Sequence, residues 1–182
     1  MIIEPNHPLA RLFRELVQRR FCDWQIRDGD VTAYISGLLS RFTHVRELYR
    51  IRNARGKRLE DVGEMLIESN PLLEASSFGR EREVRKHIGD YSLFLCGLFP
   101  EYVASLPHRS LRLDSIVDYV RAGKESYRVV SYFDQFEYRG EAPLFRKLAE
   151  WFELCVVGLN RVKQDLERLQ RERYDHWRAT LK

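Results

Sequence analysis

Residues 84–103 read VRKHIGDYSLFLCGLFPEYV, and we expect the rest of the chain to pack around this stretch. Residues 93–99 within it are apolar on every side, and a helix that is hydrophobic all round is a buried one. His87 and Asp90 stand just before that apolar run, and polar groups in a buried segment need hydrogen-bond partners. The sequence therefore predicts a central buried helix, with residues 93–99 in the core and a polar edge before them.

The composition is that of a globular protein. The chain has 182 residues, of which 44% are hydrophobic and 32% charged. A chain of this length buries roughly 70% of its unfolded surface, so it needs neither a metal nor a disulfide to hold its core. The formal net charge is +4, which permits an anionic partner without requiring one, because binding follows local patches of charge.

The three cysteines, Cys22, Cys96 and Cys155, form no C-x-x-C pair and lie within apolar patterns. An odd number without metal-ligand spacing favours a reducing compartment, and Cys96 is expected to be core filler. The N-terminus, MIIEPNHPLARLF, lacks the pattern of a signal peptide. The longest apolar run has seven residues, far fewer than the roughly 18 that span a bilayer. These features predict a soluble, cytoplasmic protein without membrane contact.

Helical spacing of apolar residues predicts an all-α fold, a single-domain bundle of about six helices over residues 1–182. Asp30 is expected to cap the second helix, and Ser76 or Ser77 the central one. Gly89 leaves two alternatives for the central helix, one continuous helix or a break, and the apolar stripe favours continuity. The six helices are expected over residues 8–24, 31–49, 59–68, 80–99, 113–138 and 144–172.

The last predicted helix has the most regular pattern. Its apolar residues follow a spacing of three and four over three heptads, as in a coiled coil. A helix over residues 144–172 would be about 43 Å long, so we expect it to pack on a long partner helix. That partner is either the helix over residues 113–138 or the same helix of a second chain. A homodimer is the favoured arrangement, with residues 160–182 projecting or forming the dimer. The seam consists of Phe145, Leu148, Phe152, Cys155, Leu159, Val162, Leu166 and Leu169.

His87, Asp90 and Tyr91 form a candidate polar site, because on one helix His87 lies a single turn from each of the other two. A His–Asp pair there could orient a proton carrier. Alternatively, His87 and Asp90 satisfy each other or cap a neighbouring helix. The residues alone assign no catalytic role.

The sequence lacks the patterns of several common sites. Carboxylate-bridged metals in helical bundles use Glu-x-x-His, whereas His44 and Glu47 stand in the reverse order. The pairs Glu83/His87 and Glu172/His176 are four residues apart rather than three, and surface pairs have the same spacing. Three common nucleophile and nucleotide motifs, G-x-S-x-G, G-x-x-x-x-G-K-[ST] and G-x-G-x-x-G, are absent. We expect no metal and no cofactor.

A basic stretch over residues 46–58 is the candidate anion-binding or nucleic-acid-binding surface. Arginine is the preferred residue for phosphate contacts, and Tyr49 lies within the stretch. A charged loop that is only solvated is the alternative, and Glu60, Asp61 and Glu64 are close enough to neutralise part of it. The six cations are Arg46, Arg50, Arg52, Arg55, Lys57 and Arg58.

Residues 87–101 read HIGDYSLFLCGLFPE, which resembles the signature of an uncharacterised family of bacterial all-helical proteins, H-I-G-D-x-x-L-F-x-x-G-x-F-P-E. The resemblance covers at most a quarter of the chain. It implies a bacterial, all-helical protein and brings no activity with it.

Three functions remain as expectations. The first is a non-enzymatic helical interaction protein that forms a homodimer through residues 144–172. The second is a small-molecule binder or enzyme built around His87 and Asp90. The third is a nucleic-acid or anion binder that uses residues 46–58.

Overall fold

The computed structural model describes residues 6–106 and 115–180, and for Phe136 and residues 174–180 it describes the backbone alone. These residues form nine α-helices, one short 3-10 helix at Phe136–Tyr138 and no strand, so the predicted all-α fold is confirmed and the predicted six helices are too few. The helices are α1 Pro8–Asp23, α2 Gly29–Phe42, α3 Val45–Leu48, α4 Val62–Glu68, α5 Phe78–Leu98, α6 Pro100–Ser105, α7 Ile116–Ser131, α8 Ala142–Glu150 and α9 Phe152–Thr180.

The predicted second helix was wrong at both ends. Asp28 caps α2, because its Oδ1 accepts hydrogen bonds from the backbone N–H groups of Asp30 and Val31, 3.0 Å from each. At the other end α2 stops at Phe42, where the Thr43 hydroxyl donates to a backbone carbonyl of the last turn. Such side-chain bonds compete with the helical hydrogen bonds, and the short helix α3 follows as a separate turn.

The predicted fifth and sixth helices are also divided. Helix α7 ends at Ser131, whose hydroxyl donates to a carbonyl in the last turn, and the 3-10 helix follows. The predicted start of that helix at Leu113 lies outside the described residues. The last helix is interrupted at Trp151, because α8 packs mainly on α7 whereas α9 packs mainly on α5 and α1. One straight helix could not follow both surfaces.

Helix α5 is continuous through Gly89, as the apolar stripe predicted, and Ser77 caps it. Every residue from His87 to Leu98 is buried. Gly97 lets α9 approach, since a Cβ atom there would lie 2.5 Å from the Cβ atom of Leu159. The prediction that residues 93–99 are core holds for the first six. Phe99 is 47% exposed, because it is the C-cap residue and leaves the helical path.

The seam of the predicted last helix lies in the core of its own chain. Its residues from Phe145 to Val162 are all fully buried. The expected packing on residues 113–138 is found for the first part of this helix, because α8 packs mainly on α7. The second part, α9, packs on α5 and α1, where Gly158 leaves room for the Phe21 ring. Leu166 and Leu169 are partly buried against the same core. Only the end of the seam remains accessible to a second chain.

No helix in the described part of the chain is long and apolar enough to cross a membrane.

Candidate functional site

Asp90 is a buried carboxylate held by three side chains from other helices. Its Oδ1 accepts hydrogen bonds from the hydroxyls of Tyr34 at 2.6 Å and Tyr127 at 2.8 Å. Its Oδ2 lies 3.4 Å from Nη2 of Arg41. Burial, together with the charge of Asp90, raises the pKa of both tyrosines well above 10. Both hydroxyls therefore stay protonated and serve as hydrogen-bond donors.

Gly89 explains how Tyr127 reaches Asp90. The Tyr127 ring lies directly against the glycine, and a Cβ atom there would be 2.4 Å from the ring. A side chain at position 89 would push the ring away and break its bond to Asp90. The Gly-Asp pair of the central helix is therefore one structural unit, which the spacing of residues alone did not reveal.

His87 is fully buried and has a different set of neighbours. Its Nδ1 accepts a hydrogen bond from Nε of Arg50 at 3.3 Å, and its ring packs on Phe42. Its Nε2 has no hydrogen bond of normal geometry within the described residues. Burial first, and then the charge of Arg50, lower the pKa of His87 to about 4, although Asp90 and the backbone of Leu48 act in the opposite direction. The imidazole is neutral at pH 7.

The three residues of the predicted polar site therefore have separate partners. His87 and Asp90 make no hydrogen bond to each other, so they do not satisfy each other, and a role of the pair in proton transfer stays a prediction. The Tyr91 hydroxyl donates to the backbone carbonyl of Glu60 at 3.1 Å, and burial raises its pKa far above the usual value. Tyr91 thus ties the central helix to the segment before α4.

Two cations flank the Asp90 cluster and were missed at the sequence level. Nζ of Lys86 lies 5.6 Å from the centroids of both the Tyr34 and Phe145 rings, and Cζ of Arg41 lies 5.5 Å from the Tyr34 centroid. Burial lowers the pKa of Lys86, and Arg41 and Arg50 lower it further, whereas Asp90 raises it. Lys86 precedes His87 in the chain, so helical spacing from Asp90 could have identified it. Nothing in the sequence indicated Arg41.

The basic stretch forms a small ordered hairpin. Arg52 and Arg58 make an antiparallel bridge, and the side-chain oxygen of Asn53 accepts the backbone N–H groups of Arg55 and Lys57, both at 3.0 Å. Gly56 has a φ of +78°, a conformation that favours glycine at this turn. The charged loop expected from the sequence is therefore an ordered turn around Gly56.

All six cations of the basic stretch are exposed, but their surroundings differ. Arg50 contacts His87, so the structure joins the two candidate sites that the sequence kept apart. Lys57 pairs with Glu64 at 2.8 Å, one of the acids expected to neutralise the stretch. Arg55 and Arg58 make no ion pair with any described residue. Nucleic-acid binding by this stretch stays a prediction.

Cys96 and Cys155 lack the environment of a catalytic thiol. Burial raises the pKa of Cys96 and of Cys155 to about 12, which keeps both protonated at neutral pH. Cys22 is exposed, contrary to the prediction that all three fill apolar positions. The part of the chain that the structure describes contains no group of three or more His, Cys, Asp or Glu side chains that could hold a metal. The side chain of His176 lies outside that part.

The end of the molecule between α4 and α5 presents large apolar side chains to solvent. We call Ile67, Leu72, Leu73 and Phe78 the connector surface, and their exposures are 38%, 92%, 63% and 75%. The connector is ordered, because the side chain of Asn70 accepts the Leu72 N–H at 2.9 Å and its carbonyl accepts three further N–H groups. The apolar side chains are thus displayed from a defined turn.

A cleft of about 350 Å³ borders the connector surface. Arg55 and Lys57 line it from the hairpin, and Glu64, Glu68 and Glu74 line it from α4 and the connector. A second cleft, of about 400 Å³, lies between α1 and α2 beside Cys22. Neither cleft is lined by His87 or Asp90.

Comparison of the chain with protein-family models, with curated proteins and with solved structures gave no match. The resemblance of residues 87–101 to an uncharacterised bacterial family therefore stays a prediction.

Proposed function

We propose that this chain is a non-enzymatic helical interaction protein that pairs with a second copy of itself through the connector surface. The exposure of that surface carries the proposal. Large apolar side chains that are grouped on an ordered turn mark interaction sites. A partner that covers them removes apolar surface from water, which favours association. At 92% exposure, Leu72 makes almost no contact with its own chain.

The charges beside the connector surface support a second copy as the partner. Two-fold symmetry places the same patch on both sides of an interface, so the patch must complement itself. The neighbouring cleft carries Arg55 on its hairpin side and Glu74 on its other side, whereas Lys57 and Glu64, which also line it, already pair with each other. A two-fold axis at the connector would bring the basic side of one copy to the acidic side of the other. Apolar centres with a charged rim are typical of protein interfaces.

The homodimer predicted through residues 144–172 is the competing form of this proposal. The seam up to Val162 packs inside the chain, which leaves Leu166 and Leu169 at its accessible end. That remaining stripe is much narrower than the connector surface. We therefore favour the connector surface.

We place the protein in the bacterial cytoplasm. The three cysteines are free thiols, which fits a reducing compartment. The resemblance of the central helix supports a bacterial source.

Light scattering coupled to size exclusion, at protein concentrations from about 1 to about 100 µM, tests the pairing, because the dimer fraction rises with concentration. We expect Leu72→Asp to raise the dimer Kd at least about tenfold, which corresponds to about 1.4 kcal/mol. Val117→Asp is the matched control, since Val117 is 64% exposed on α7 and should leave the dimer unchanged.

A wild-type chain that remains monomeric over the whole concentration range would overturn the proposal. A dimer that persists in Leu72→Asp and dissociates in Leu169→Asp would move the interface to the C-terminal helix instead.

A further inference from the structure

Three cations from separate segments converge near the middle of α5. Lys86 and Arg41 both lie within 5.6 Å of the Tyr34 ring centroid. Arg50 is anchored on the neighbouring residue, His87, through its Nε atom. The three come from α5, α2 and the segment after α3. Each is partly or fully exposed, so the cluster can be reached from solvent.

The two acids near this cluster, Asp90 and Glu141, both have partners of their own. Asp90 gives its Oδ1 to the hydroxyls of two tyrosines, and its Oδ2 makes only the 3.4 Å contact with Arg41. Glu141 is near enough to affect Lys86, but its Oε2 accepts from Arg82 at 2.6 Å. The cluster thus has three cations and one carboxylate that can balance them. Like charges this close repel one another unless an anion lies between them.

Lys86 is the most informative of the three. Its ammonium group lies 5.6 Å from the centroids of two aromatic rings that contact each other, and it makes no hydrogen bond or ion pair to a carboxylate or carbonyl among the described residues. An ammonium group that is partly removed from water normally has hydrogen-bond acceptors or a counter-ion. Arg50 donates a hydrogen bond to His87 through Nε alone, so its Nη1 and Nη2 atoms remain available as donors.

We propose that Lys86, Arg41 and Arg50 bind the phosphate group of a phosphorylated small molecule. Two guanidinium groups and one ammonium group match a tetrahedral dianion, which offers more acceptor oxygens than a carboxylate. Asp90, Tyr34 and Tyr127 position Arg41 and support the ring under the cations, and His87 positions Arg50. His87 and Asp90 therefore do not contact the phosphate themselves but hold the two arginines that bind it.

Thermal unfolding and calorimetric titration with inorganic phosphate test the site at constant ionic strength and constant pH. We expect phosphate to raise the melting temperature in proportion to the logarithm of its concentration, because it binds the folded state alone. Acetate and chloride should give no such rise. Equal shifts with acetate and phosphate would overturn the assignment to phosphate.

Lys86→Met separates binding from folding. Methionine retains the apolar contacts with the two rings and removes the charge, so we expect this variant to melt at or above the temperature of the wild type without ligand. Its phosphate affinity should fall at least about tenfold, the size of one charge-assisted contact. Unchanged phosphate binding in Lys86→Met would overturn the proposal.

Arg55→Gln is the matched control. Arg55 belongs to the same basic stretch as Arg50 but lies on the hairpin turn, where it lines the cleft beside the connector surface. Phosphate affinity should be unchanged in Arg55→Gln and about tenfold weaker in Arg50→Gln. If both variants weaken binding equally, phosphate binds the exposed loop in general, as a nucleic-acid backbone would, and the specific site is excluded.

Discussion

The two halves of helix α5 both pack against other helices but are held there by different forces. In residues 93–98, shape decides the packing, with Gly97 against α9 and the Phe94 ring 5.2 Å from the Phe42 ring. In residues 80–90, hydrogen bonds and ion pairs with four other elements dominate, and the buried Asp90 carboxylate has three side-chain partners. The comparison shows that two kinds of substitution should destabilise the same helix. Added side-chain volume does so in the apolar half, and removal of a hydrogen-bond partner does so in the polar half.

Removal of the Asp90 carboxylate is expected to have the largest effect on the polar half. Asp90→Ala leaves the hydroxyls of Tyr34 and Tyr127 without an acceptor and the Arg41 charge without its carboxylate. The loss of one member of a buried charged network costs about 3–5 kcal/mol. Urea unfolding followed by circular dichroism measures it.

Asp90→Asn is the control for that substitution, because it retains an oxygen acceptor for the tyrosines and should cost markedly less. An Asp90→Ala protein within about 1 kcal/mol of the wild type would show that the polar half is not held by this network.

A fall in pH should weaken the polar half through His87. The folded-state pKa is about 4 and the ordinary value is 6.5, so the unfolded chain binds the proton more tightly. Stability from this group is complete above pH 6.5 and is lost as the pH falls toward 4, by roughly 3 kcal/mol in total.

Urea unfolding at a series of pH values checks this effect, with His87→Leu as the comparison. The variant has no imidazole to titrate, so its stability should change much less between pH 6.5 and 4. Parallel pH profiles for the two proteins would contradict the assignment to His87.

The apolar half should respond to added volume. Gly97→Ala places a Cβ atom 2.5 Å from that of Leu159, which forces α9 away from α5 and costs about 1–3 kcal/mol. The measurement is the free energy of unfolding in urea. Gly37→Ala is the control, since the nearest contact there is the flexible end of Arg41 at 3.6 Å, and it should stabilise the chain by about 0.5–1 kcal/mol. Equal effects of both substitutions would show that Gly97 is not a close contact.

The smallest effect on stability is expected from substitutions at the N-terminus of α5. The Ser77 hydroxyl oxygen accepts the Arg80 N–H at 3.1 Å, and Ser77→Ala should cost about 1 kcal/mol because it leaves this N–H group without its cap. Ser76→Ala should be neutral, since Ser76 is exposed and does not cap the helix. Thermal unfolding of both variants distinguishes them, and equal melting temperatures would argue against Ser77 as the cap.

Much of the fold could be predicted because local rules apply to it. Apolar spacing identified the helical class, the core position of residues 93–98 and the continuity of α5 through Gly89. Ser77 was identified as one of two candidate caps because serine is preferred at the N-cap. A cap bonds an N–H group only two or three residues along the chain, so the prediction needed no tertiary contact. These features depend on residues that are neighbours in the chain, so the sequence by itself determined them.

The tertiary structure alone decided which residues meet. His87 and Asp90 are close in the chain, yet their partners, Arg50, Tyr34 and Tyr127, come from other elements. The regular seam of the last helix looked suited to a second chain, but α5 and α1 of the same chain cover most of it. The heptad pattern specifies an apolar stripe without specifying what covers it. That choice depends on packing between distant segments, and glycines such as Gly97 and Gly158 make it possible by allowing close approach.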